Sequence, residues 1–145
     1  MKENPLLGPM LGYSAHLAKE RLDARLTQYD VTPAQIHVLH YLHHHDNQAL
    51  QGDVTAHLKV KPSTANGILD RMEEKGLLRR TISETDGRKR LITLTEKGAS
   101  LQTECRQLFF ETEELMLGSL TEEEQVLLFG LLRRVINNLE EDRSL

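Results

Sequence analysis

Apolar residues near the start of the chain recur at helical spacing. Leu11, Ala15, Ala18, Leu22 and Leu26 fall on one side of a helix, which predicts a first long helix over residues 9–29. Val31-Thr32-Pro33 then reads as a helix start, with Thr32 as the cap and Pro33 at a first position where its missing N–H costs nothing. This second helix turns Val38, Leu39 and Leu42 inward and fades at His45-Asp46-Asn47. A short third helix is expected over 51–58, with Val54 and Leu58 inward. Its start is poorly marked, because Leu50 is no cap and Gly52 is a weak helix former.

A tight turn, Lys59-Val60-Lys61, leads into Pro62. Ala65, Ile68, Leu69 and Met72 follow the spacing of a fourth helix, which Gly76 stops. The period then changes. Residues 77–83 and 91–94 read as strands around the turn-rich Glu84-Thr85-Asp86-Gly87-Arg88, a hairpin signal. Thr95 caps a fifth helix carrying Leu101, Cys105, Leu108, Thr112 and Leu115. Thr121-Glu122-Glu123-Glu124 is a capping box opening a sixth, with Leu128, Leu131, Leu132, Val135 and Leu139 on one side. The expected fold class is mainly α with a small β-hairpin wing: a winged helix-turn-helix of six helices.

Composition narrows the class. With 145 residues, 28% charged and 39% hydrophobic, the chain suits one domain. No apolar run approaches the roughly 18 residues of a membrane helix, so no membrane partner is expected. Met1-Lys2-Glu3-Asn4-Pro5 does not resemble an export signal, and the single Cys105 permits no intrachain disulfide. The cytoplasm is the expected compartment. The net charge is −4, but Lys59 to Lys97 holds ten Lys/Arg against six Asp/Glu. A basic centre in an acidic chain is what one polyanion-binding face would produce.

A short helix, a tight turn and a second helix with a polar outer face form a helix-turn-helix, whose second helix fits the major groove. Its outer face would show Lys61, Ser63, Thr64, Asn66, Gly67 and Arg71. Asn66 suits adenine, and Arg71 suits guanine or phosphate. Gly67 either allows close approach to the groove or is a tolerated weakness in the helix. Arg88, Lys89 and Arg90 sit at or just past the hairpin turn, where an arginine can enter the minor groove. The expected partner is double-stranded DNA. The terminal helices are apolar along one side with little of this chain to cover them, so a homodimer is also expected.

Three stretches carry a family resemblance. They are Leu69-Asp70-Arg71-Met72-Glu73-Glu74-Lys75-Gly76-Leu77-Leu78-Arg79-Arg80, Asp86-Gly87-Arg88-Lys89-Arg90, and Leu94-Thr95-Glu96-Lys97-Gly98. With Val31-Thr32-Pro33-Ala34-Gln35 upstream, they resemble the MarR family of transcriptional regulators along nearly the whole chain. The resemblance implies an intertwined homodimer of triangular outline. Residues 9–29 and 95–142 would form the dimerisation helices, and 31–94 the DNA-binding lobe, with two lobes on a palindromic operator. It implies that Asp86 orients Arg88 towards the minor groove. It also implies a repressor answering to a small-molecule effector such as an aromatic acid, with Tyr13, His16, His37 and Tyr41 as candidate liners. Three positions depart from the family pattern: Lys61 replaces a common serine, Gly67 a projecting side chain, and Leu50 a threonine.

Other features point elsewhere. Five of seven histidines lie in His37-Val38-Leu39-His40-Tyr41-Leu42-His43-His44-His45, and His37, His40 and His44 share a helix face. A metal-responsive (zinc) regulator is one alternative. A polar, partly interfacial face is preferred, and no metal ligand or cofactor is expected; a pH-responsive role is also conceivable. A protein-interaction winged helix without DNA binding is the other alternative, although such a module need not keep Arg88, Lys89 and Arg90. Cys105 follows the apolar register of its helix and reads as a buried structural thiol rather than an oxidant sensor. No glycine-rich phosphate loop, nucleophile elbow or H-E-x-x-H motif is present, so no enzymatic activity is expected.

Overall fold

The computed structural model describes residues 4–144. Met1, Lys2 and Glu3, on which part of the export-signal reading rests, lie outside the described residues.

Six helices and three short strands follow one another along the chain. They are α1 (Leu7–Leu26), α2 (Pro33–His43), β1 (Gln48–Leu50), α3 (Gln51–Leu58), α4 (Pro62–Glu74), β2 (Leu78–Ile82), β3 (Arg90–Leu94), α5 (Glu96–Leu117) and α6 (Glu122–Glu140). A 3-10 turn, Thr27–Tyr29, extends α1. The expected order of six helices and a hairpin is borne out. The chain forms two compact units, one ending at Thr112 and the other starting at Glu113.

Local chemistry accounts for most of the boundaries. Thr32 and Gln35 form a full capping box at α2: Gln35 N–H donates to Thr32 Oγ1 at 3.2 Å, and Thr32 N–H donates to Gln35 Oε1 at 3.2 Å. Thr121 and Glu124 do the same at α6, at 3.1 and 2.9 Å. Neither Leu50 nor Lys61 caps its helix through a side chain. At the end of α4, Gly76 has φ +76°, its N–H donates to Glu73 O, and Leu77 N–H donates to Met72 O, both at 2.9 Å. This is a Schellman motif, and it explains the glycine.

The strand β1 departs from the sequence reading. Asp46 and Asn47 both take left-handed backbone conformations, φ 57° and 64°, which these residue types tolerate best after glycine. They turn the chain so that Gln48, Ala49 and Leu50 pair antiparallel with Thr93, Ile92 and Leu91. The sheet order is β1-β3-β2, and the wing hairpin pairs Leu78 with Leu94 through Ile82 with Arg90. A strand of three residues has too little alternation to be read from its pattern.

One core lies in the first unit. Leu22 and Leu26 of α1, Ile36, Val38, Leu39 and Leu42 of α2, Val54 of α3, and Leu69 and Met72 of α4 are buried in it. Leu77, Leu78, Ile92 and Leu94 join from the hairpin, and Cys105 and Phe109 from α5. The α1 stripe is buried only where it meets the lobe, and the α5 stripe needs correction. In α1 only Leu22 and Leu26 are buried, while Leu11 and Ala15 are exposed. In α5 the buried line is Gly98, Gln102, Cys105, Phe109 and Thr112. Leu101 and Leu108 lie on its flank, and Leu115 is exposed. The larger Phe109 side chain takes the core position beside His37 and His40, which rotates the stripe one residue away from the leucines.

Candidate nucleic-acid interface

Helix α4 is amphipathic in the register its sequence predicts. Ala65, Leu69 and Met72 are buried, and Ile68 is half-buried. Lys61, Ser63, Thr64, Asn66 and Arg71 are exposed and Gly67 is half-buried. The turn before it closes because Lys59 adopts φ 58°, a left-handed conformation that costs a non-glycine residue about 1 kcal/mol or more.

Helix α4 and the hairpin are held together by Arg80. Its guanidinium pairs with Asp70 and with Glu73, the latter at 3.0 Å, and its own N–H donates to Glu73 Oε2 at 3.2 Å. Its Nη1 donates to Asn66 Oδ1 at 2.9 Å, and Gln51 Nε2 donates to the same oxygen at 3.3 Å. The Arg80 side chain is only 15% exposed. Arg80 thus faces the protein, although in the sequence it looks like one more surface cation.

Two lysines of the basic stretch are likewise structural. Lys75 Nζ donates to Asp30 O at 2.7 Å and to Gln35 Oε1 at 3.1 Å. Lys97 Nζ donates to Lys75 O at 2.6 Å, while Thr95 Oγ1 donates to Gly76 O at 2.6 Å and accepts from Gly98 N–H at 3.1 Å. The last carbonyls of α4, which have no partner within their own helix, are satisfied from the first turn of α5. The stretch Leu94-Thr95-Glu96-Lys97-Gly98 thereby has a physical reason: Thr95 and Lys97 tie α5 to the end of α4, and Gly98 N–H lets Thr95 cap α5 at the same time.

The wing turn is ordered by Asp86. Its Oδ1 accepts from Arg88 N–H at 3.0 Å and from Arg88 Nε at 3.4 Å, and Lys89 N–H donates to Asp86 O at 3.0 Å. The Arg88 hydrogen bond holds the Asp86 carboxyl below its usual pKa. The Arg88 side chain is 92% exposed, and Lys89 and Arg90 are exposed beside it.

The effector candidates are not gathered in one place. Tyr13 and His16 are exposed on α1, and His16 pairs with Glu20 at 3.2 Å. His37 lines a cleft of about 330 Å³ with His57 and Ile68. Tyr41 stacks on His45 at 4.0 Å and packs near His57 at 4.5 Å. A second cleft, of about 540 Å³, is lined by Tyr29, Asp30, Lys75, Lys97 and Leu101 among others, none of which the sequence reading named as an effector liner.

The histidine cluster packs against aromatic rings. His40 lies 4.4 Å from His44 and 4.8 Å from Phe109, and His37 meets Phe109 edge-on at 5.2 Å. Burial, with help from His44, His37, His43 and His57, pushes the His40 pKa down to about 4. Burial and His57 lower that of His37. Among the described residues no group of three or more His, Cys, Asp or Glu is placed to hold a metal ion. Burial and the neighbouring Glu104 push the Cys105 thiol up to about 11, so it stays protonated and unreactive near neutrality.

A helix-turn-helix followed at once by a β-hairpin with a cationic tip defines a winged-helix protein. The sequence pattern of the MarR family matches residues 29–89. The crystal structure of the transcription regulator MarR from Oenococcus oeni PSU-1 is 33% identical, covers 91% of this chain and 99% of its own, and superposes with a TM-score of 0.79. The S. aureus MepR–DNA complex is 27% identical, covers 93% of this chain and 99% of its own, and gives 0.85. An uncharacterized HTH-type transcriptional regulator of Bacillus subtilis, YwaE, is 30% identical over 80 residues, 55% of this chain and 47% of that protein. The match thus spans about half the length of that curated relative. The chain belongs to the MarR family, which is a family of transcriptional regulators and not of enzymes. No helix among the described residues is long and apolar enough to cross a membrane.

Proposed function

We propose that the chain is a sequence-specific DNA-binding transcriptional regulator that acts as a homodimer on a palindromic operator. Helix α4 enters the major groove through Ser63, Thr64, Asn66 and Arg71, with Lys61 and the bare Gly67 backbone close to phosphates. The wing places Arg88 in the adjacent minor groove, with Lys89 and Arg90 beside it on the backbone. Residues 31–94 are the DNA-binding lobe, and residues 9–29 and 95–142 join two copies.

The observation that carries this reading is the sorting of cations. Lys75 and Arg80 are half-buried and engaged within the protein, whereas Lys61, Arg71, Arg88, Lys89 and Arg90 are exposed on α4 and the wing, with Arg71 and Arg88 bonded only to their near neighbours Gly67 and Asp86. Exposed cations around a groove-sized helix supply the phosphate contacts that dominate affinity. The solved MepR–DNA complex supports the same reading.

Control by a small-molecule effector is part of the proposal. Such a ligand acts only through different affinities for two conformations of the dimer. Repression is the expected direction of control.

In vitro selection of bound duplexes from a random pool tests the function. The expected result is a palindrome whose half-sites lie about one DNA turn apart. Failure to enrich any sequence at low ionic strength would rule it out.

A further inference from the structure

Asn66 stands exposed on α4 with only half of its amide free. Its Oδ1 accepts from Arg80 Nη1 at 2.9 Å and from Gln51 Nε2 at 3.3 Å. A carbonyl oxygen offers two lone pairs, so these two donors engage both. The amide cannot be turned over, because arginine carries five donors and no acceptor. The atom facing Arg80 has to be oxygen. Nor is Arg80 free to swing away. Asp70 and Glu73 hold its other nitrogens, and its side chain is 15% exposed. Asn66 Nδ2 has no hydrogen-bond partner among the described residues.

From this we infer that Asn66 is a donor-only base reader that selects guanine, an inference that rests on α4 being the major-groove helix. An unconstrained asparagine pairs with adenine by accepting from N6 and donating to N7. Here the accepting half is occupied from within the protein. Adenine would bring its N6 amino group against an oxygen with no lone pair left. Guanine presents two neighbouring acceptors, N7 and O6, and the two hydrogens on Nδ2 serve both. Thymine offers a single acceptor, O4, and cytosine presents a donor alone. The order of preference is guanine first, thymine and adenine next, and cytosine last.

The same arrangement gives Arg80 a role in specificity without a DNA contact. It fixes which way the Asn66 amide faces, and Asp70 and Glu73 fix Arg80. The base preference of α4 is therefore set partly by residues that never touch a base.

The test is selection from a random duplex pool by the full chain and by Asn66→Ala, whose exposed position leaves the fold intact. The expected result is one guanine per half-site whose preference over adenine falls about tenfold in the variant, with the other positions unchanged. Adenine at the position that relaxes would overturn the inference, as would the absence of any relaxed position. Enrichment of no sequence by either protein, with both giving a folded helical spectrum, is a different result. It removes the DNA-binding reading itself, and the inference with it.

Discussion

A Cβ built on Gly98 would overlap the Leu77 carbonyl oxygen and lie 2.7 Å from Leu94 Cδ1. The backbone of α5 approaches the start of β2 so closely that only glycine fits. Gly98→Ala must move the helix or the hairpin, and overpacking of this kind costs about 3 kcal/mol. Urea denaturation should show that loss, and a change below about 1 kcal/mol would count against the close approach. Gly67 is a different case. An added Cβ there meets nothing nearer than Arg71 Nη1, at 3.8 Å. Gly67→Ala should raise stability by about 1 kcal/mol through helix propensity alone. A lower melting temperature would contradict this. The sequence marks both residues as glycine but does not separate them, because the difference lies in which backbone comes near.

At the scale of elements, the helices with caps and breakers were legible. Thr32, Thr121, Gly76 and Pro62 each act through neighbours within a few residues, so their signals are local. The pairing of β1 with β3 joins residues some forty positions apart and left no local trace. The same holds for the site. The polar face of α4 followed from helical period, but the inward turn of Arg80 depends on Asp70 and Glu73 across a loop. Helix α2 carries a pH consequence. His40 lies against Phe109 and Phe110 of α5, and its pKa falls from 6.5 to about 4. Between those values the unfolded chain binds the proton more readily than the folded one. Stability is therefore complete above about pH 6.5 and declines as pH falls towards 4, with the lowered His37 and His57 acting in the same direction. Thermal unfolding followed from pH 7 to pH 4 should show the decline, and His40→Phe should flatten it. Parallel curves for the two proteins would exclude His40 as the cause.

At the scale of the molecule, the second unit has no buried residue in α6. Leu128, Leu131 and Leu139 of its apolar stripe are exposed, and so are Val126, Leu127, Phe129 and Ile136 around it. Leu6, Leu7, Met10 and Leu11 are exposed at the start of the first unit. An amphipathic helix left open along its apolar side needs a partner, and under the proposed function that partner is a second copy. Leu131→Glu should shift the protein from dimer to monomer in sedimentation and abolish operator binding at micromolar concentration. A monomeric parent chain, or an unaffected dimer, would remove this role from α6. The apolar stripe of α6 was visible in the sequence. In a single chain Leu128, Leu131 and Leu139 of that stripe are exposed and Leu132 and Val135 half-buried; an open face there, and at Leu11 and Ala15 of α1, was expected from the small size of the lobe. Periodicity reports that a face is apolar and is silent about which chain covers it.

The joint between α5 and the lobe has one more consequence. Thr95 and Lys97 fasten the start of α5 to Gly76, Leu77 and Lys75, and Arg80 fastens the hairpin to α4. Two such joints in series link α5, α4 and the hairpin, so under the proposed function a tilt of α5 at that end is expected to carry α4 and the wing along with it.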